Sequence, residues 1–156
     1  MEYQYNMIKG RIAEALVEEL FLSLGYGVFR YGMENTIPGV MDLLKGSTSE
    51  VEKIIRKMPD FVVQNKKGEV FFVEVKFRAK EEFSLQDVGE DYPFGNTFFI
   101  IVSKKHIKCL PFKELKYGKK ITPICHNYLG NIKEFELDKD RIIQFCEFAI
   151  KFFSEV

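Results

Sequence analysis

The chain has 156 residues, 46% hydrophobic and 15% aromatic, with 23 basic side chains against 23 acidic ones. That is the size of one ordinary domain with a proper core, and the charge balance excludes a globally polycationic nucleic-acid binder. The longest uninterrupted apolar run of note, Phe98 to Val102, is far too short to span a bilayer.

The first ten residues are polar and lack a signal-peptide apolar segment, so the expectation is an intracellular, cytoplasmic protein with no membrane segment. Cys109, Cys125 and Cys146 form no CxxC pair, which fits neither a disulfide framework nor a standard zinc module.

From Tyr5 to Leu24 apolar residues recur at Ile8, Ile12, Leu16, Leu20 and Leu24, widened by Ala13, Val17 and Phe21, and the period predicts an amphipathic helix stopped by Gly25. A short β-prone run, Tyr26 to Gly32, follows. An insertion from about residue 33 to 58 mixes Pro, Gly and small polar residues. Within it Val51, Ile54, Ile55 and Met58 have helical spacing, with N-caps at Ser47 to Ser49 and a stop at Pro59.

Met58 to Arg78 reads as a β-hairpin, and Thr97 to Ser103 as a buried strand, with a helical turn or two between them. His106 to Ile132 offers only short strands or loops. Asp138 is the expected N-cap of a last helix, about residues 138 to 154, whose apolar residues cover over half its circumference. Such a helix is sandwiched in the core or pairs with another subunit. The whole, 1–156, is a single α/β domain.

The hairpin carries the chemistry. With Lys66, Lys67 and Gly68 as a three-residue loop, Asn65 faces Glu69 and Asp60 faces Glu74. Asp60, Glu74 and Lys76 then share one face, while Phe61, Val63, Phe71, Val73, Val75 and Phe77 fill the other. Two carboxylates at cross-strand distance repel each other unless something positive lies between them. Lys76 supplies part of that charge, and a hard divalent cation bound by oxygens would supply more. The bland alternative is a solvated hairpin face on which charge alternates with core residues.

Pro59-Asp60, thirteen intervening residues and Glu74-Val75-Lys76 resemble the signature of the PD-(D/E)XK phosphodiesterase superfamily, and the first helix is similar to that of archaeal Holliday-junction resolvases. The resemblance covers about Lys9 to Ser103. It implies a restriction-endonuclease-like α-β-β-β-α-β core, with a mixed central sheet flanked by helices. It also implies a metal-dependent nuclease that hydrolyses DNA phosphodiester bonds in duplex or branched DNA, with RNA as an alternative substrate.

By the same resemblance, Asp60, Glu74 and the Val75 carbonyl hold Mg²⁺ or Mn²⁺, Lys76 assists the attacking water or the developing charge, and Glu14 completes the metal shell. Glu14 lies about 110° from the centre of the apolar stripe, at its edge, with Glu18 as the fallback. Seven lysines between Lys104 and Lys120, against Glu114 alone, offer phosphate contacts. Lys104, Lys105 and Lys108, with Arg78, are the candidate nucleic-acid ligands. Gln86 is a weaker candidate near the scissile group. The apolar last helix is the expected surface of a homodimer. The competing expectation is a catalytically inactive nucleic-acid-binding or assembly subunit with the same fold.

Overall fold

The computed structural model describes residues 1–30 and 57–154. Helix α1 spans Glu2–Ser23 and ends where its apolar pattern meets Gly25. Gly25 takes φ +85°, its N–H reaches the Leu22 carbonyl at 3.1 Å, and the Tyr26 N–H reaches Phe21 at 3.0 Å. This αL stop turns the chain back on itself and packs the Tyr26 ring against Phe21 at 5.1 Å.

Among the described residues five strands form one sheet in the order β1 (Gly27–Arg30), β2 (Phe61–Gln64), β3 (Val70–Phe77), β4 (Thr97–Val102) and β5 (Ile107–Pro111). Only the β3–β4 pair is parallel; the other neighbours are antiparallel. The architecture is α/β, a mixed open sheet flanked by helices.

The hairpin has the predicted register. Gln64 pairs with Val70 and Phe61 with Val73, and the Asn65 N–H donates to the Glu69 carbonyl at 3.0 Å. Gly68 sits at φ +88°, a region that favours glycine. The Asn65 side chain fastens the loop by accepting the N–H groups of Lys67 and Glu69 at 3.0 and 2.9 Å.

Alternation then sorts the sheet into two faces. Phe61, Val63, Val73 and Val75, with Phe98, Ile100 and Val102, pack under α1 and the last helix. Phe99, Ile101 and Leu110 face the other way, into a smaller cluster with Phe83, Phe112, Leu115 and Ile121. Strand β4 is buried along its whole length because both of its faces are covered.

Short helix α2 (Leu85–Val88) matches the turn expected before β4 and closes a capping box between Ser84 and Asp87. Helix α3 (Phe112–Lys116) replaces the loop expected there; Phe112 and Leu115, three apart, anchor it into the smaller cluster. A 3₁₀ turn covers Leu129–Asn131. Helix α4 (Lys139–Phe153) is capped by Asp138, whose side chain accepts the Asp140 N–H at 2.9 Å.

Two expectations change. On α1 the buried residues are Ala13, Leu16, Val17, Leu20 and Phe21, whereas Ile8 is 53% exposed. The first two turns are exposed throughout, so periodicity there does not report a buried face. On α4 only Ile142, Phe145, Ala149 and Phe153 are buried, and Ile143, Ile150 and Phe152 stay exposed. Most of the helix expected at Val51–Met58, and the insertion before it, lie outside the described residues; Lys57 falls in a turn and Met58 in no regular element. No helix among the described residues is long and apolar enough to cross a membrane.

Phe135 is the junction of the main core. Its ring meets Phe21, Phe71 and Phe98 at 5.4, 5.3 and 4.7 Å, and its carbonyl accepts the Tyr26 hydroxyl. Phe135→Ala is expected to cost about 3–5 kcal/mol of unfolding free energy, read from the urea midpoint at unchanged slope. A loss under about 1 kcal/mol would mean that the loop carrying it is not part of the cooperative core.

Candidate functional site

The site forms where the hairpin ladder stops. Phe61 pairs with Val73, so the next position brings Asp60 opposite Glu74, as the sequence spacing implies. Pro59, which precedes, has no N–H to offer the ladder. Instead the Asp60 carboxylate accepts the Val75 N–H at 2.8 Å, and Asp60 is only 7% exposed. Past Glu74, β3 continues alongside β4 alone: Lys76 pairs with Ile101 and Phe77 with Val102.

Two carboxyl groups in contact and away from water do not both ionise readily. Burial is the largest influence on Glu74 and pushes its carboxyl well above the ordinary range. The hydrogen bond to Asp60, the Asp60 charge and the charge of Glu14 push the same way, while Lys76 pulls it back. Glu74 thus holds its proton to higher pH than an ordinary carboxyl, with Asp60 as its hydrogen-bonding neighbour. Glu14, Asp60, Glu74 and Lys76 belong to one electrostatic cluster, drawn from α1, the residue before β2, and β3.

A groove of about 450 Å³ runs over the β3 edge beside this pair, lined by Glu14, Val75, Lys76, Phe77 and Arg78 and by Asn6, Lys9 and Gly10 of α1. The Arg78 guanidinium bonds to the Phe77 carbonyl at 2.9 Å and lies 5.6 Å from the Phe83 ring centroid. On the sheet face that Glu74 shares with Phe99 stands Tyr92, its ring tilted against those of Phe99 and Phe112 at 5.4 and 5.1 Å. Burial raises its phenol, and the Glu74 and Asp60 charges raise it further.

Sequence reasoning missed Asn6, Lys9, Gly10 and Tyr92. The first three share a helical face with Glu14, a spacing that could have identified them; Tyr92 arrives by loop closure and leaves no such signal. Glu18, the fallback for Glu14, is engaged by Arg30 at 2.7 Å. Gln86 lies exposed on α2.

The lysine run does not form one basic face. Lys108 is 1% exposed, and its ammonium is spent internally on the Thr122 carbonyl at 2.9 Å and on Glu81 at 3.4 Å. It is therefore not available to a polyanion, which corrects its expected role. Alternation explains why: Lys108 pairs with Ile101 on β5 and points inward. Lys104 is half-buried and Lys105 exposed. Glu81, opposite Lys108, also takes hydrogen bonds from Ser103 at 2.8 Å and from His106 at 2.6 Å. Burial alone would raise its carboxyl, but these bonds and the Lys108 charge hold it below the usual value.

Among the described residues no three His, Cys, Asp or Glu side chains converge as a ready-made metal cage. The donor set still fits a hard divalent cation. Asp60 and Glu74 offer paired carboxylate oxygens whose mutual repulsion a cation would relieve, and Mg²⁺ commonly keeps several waters while using one or two carboxylates. No protein-family model matches the chain, and no curated protein matches it.

The Glu74 proton makes stability pH-dependent. Below about pH 4.5, the ordinary Glu value, folded and unfolded chains both hold it. As pH rises the unfolded chain releases the proton first, so stability falls until the folded Glu74 ionises as well. Glu74→Gln should thus match the wild type near pH 4 and exceed it in melting temperature near pH 8. Parallel pH profiles for the two proteins would show that Glu74 keeps no such proton.

Proposed function

We propose that this protein is a metal-dependent nuclease of the PD-(D/E)XK type, with a restriction-endonuclease-like core. The observation that carries the reading is the Asp60–Glu74 pair, set opposite each other at the broken end of a ladder where the buried Asp60 accepts the Val75 N–H, with Lys76 one side-chain repeat further along β3. The element order α1-β1-β2-β3-α2-β4, with β3 and β4 parallel, supports the fold assignment.

In this reading Asp60, Glu74 and the Val75 carbonyl would hold Mg²⁺ or Mn²⁺, and Glu14 would complete the set directly or through water. The chemistry a bound cation supplies is acidification of a water and neutralisation of charge on the phosphate. The chain's own groups do the rest. Lys76 presents a point-like ammonium to the attacking water or to a non-bridging oxygen. Arg78, braced by Phe83 and its own backbone, binds a neighbouring phosphate. A cation held between the two carboxyls would favour the ionised form of Glu74.

DNA is the proposed substrate, with Lys104 and Lys105 as peripheral phosphate contacts and RNA as the alternative. The exposed Ile143, Ile150 and Phe152 of α4 offer a face for a second copy, which two-strand cutting would need. A second reading, a nucleic-acid-binding subunit that does not cut, is favoured by one observation, that no third His, Cys, Asp or Glu side chain among the described residues converges on the pair.

Turnover separates the two. Labelled single-stranded, duplex and four-way-junction DNA should be cut only with Mg²⁺ or Mn²⁺. Asp60→Ala should abolish cutting, and Lys76→Ala should lower it roughly 10²–10³-fold. Binding without cutting, indifferent to both substitutions, would favour the non-catalytic subunit.

A further inference from the structure

Helix α1 changes character along its length. From Ala13 onward its inner face is apolar and covers the sheet, but one to two turns earlier the same side presents Asn6, Lys9 and Gly10 to the groove. At about 100° per residue, positions 6, 10 and 14 follow one another along that side and lead to Glu14.

Gly10 is the informative residue. A glycine inside a helix lowers its stability, and close packing is the usual compensation. Here an added Cβ would meet nothing within 4 Å, so no neighbour in the fold demands the missing side chain. The empty position opens onto a groove that carries three cations, Lys9, Lys76 and Arg78, against one carboxylate, Glu14. In a chain whose net charge is zero, that local excess selects an anion. Two of the cations are held in place around Phe77: Lys9 lies 5.9 Å from its ring centroid, and Arg78 bonds to its carbonyl.

We infer that Asn6, Lys9 and Gly10 form the second wall of a polynucleotide track. A phosphodiester backbone passes over the bare Cα of Gly10, Lys9 meets one phosphate, and Asn6 hydrogen-bonds to a sugar or phosphate oxygen. The next phosphate then lies at Lys76. This inference rests on the nuclease reading and adds to it the path by which the strand enters.

The test is fluorescence anisotropy with short labelled single-stranded and duplex oligonucleotides, in EDTA and in Ca²⁺, alongside melting curves. Gly10→Leu fills the groove with a better helix former, so its melting temperature should equal or exceed that of the wild type while its Kd rises about tenfold or more. Lys9→Ala should weaken binding and reduce the slope of log K against log salt by about 1, and Lys9→Arg should restore both. Gly10→Leu binding as tightly as a wild type that binds and cuts would overturn the track and leave the nuclease reading standing. A wild type that binds no oligonucleotide under either condition and cuts none would overturn both.

Discussion

The bond from the Val75 N–H to the Asp60 carboxylate decides the shape of the working end of this molecule. A ladder carbonyl would have continued the β2–β3 pairing and covered the edge of β3. A side-chain acceptor satisfies the same N–H and lets the incoming chain leave the sheet. The open edge, the groove beside it and the confrontation of Asp60 with Glu74 all follow from that exchange, and Pro59 enforces it by offering no donor of its own.

The same exchange creates a liability. Two carboxyls face each other at a largely desolvated position, which pushes the Glu74 carboxyl above its ordinary range, and Lys76 nearby pulls it back. Local sequence that opposes stability is expected where function resides. The surroundings can hold it because they are rigid: β4 is covered on both faces, and Phe135 ties α1, β3 and β4 into one aromatic cluster. In the proposed nuclease, Asp60 and Glu74 would be the carboxylates that hold a divalent cation.

Away from the groove, polar groups are organised for architecture. Lys108, Glu81, Ser103 and His106 form a network that fastens the loop after β3 to the β4–β5 turn. The Arg78 N–H extends the attachment by donating to the Val102 carbonyl at 2.9 Å. Arg78 is thus held between a strand and a braced loop, two residues beyond Lys76 on the same chain. A lysine inside this network is a structural part, and charge counted along the chain overstated the basic surface for that reason.

Local order was legible in the sequence. Gly68 in a three-residue loop fixed the hairpin register, alternation assigned Asp60, Glu74 and Lys76 to one face, and Asp138 marked the start of α4, because turn geometry, strand period and capping act over a few residues. Tertiary structure decided what those periods cannot encode. Ile8 and Lys108 have the patterns of a core residue and a surface residue, yet their exposures are reversed, since burial depends on which element arrives opposite. The α1 wall with its bare Gly10, and the placement of Tyr92 near the carboxylate pair, likewise exist only once distant segments are packed. Sequence spacing determined which groups could meet across one hairpin, and chain closure determined what else meets them.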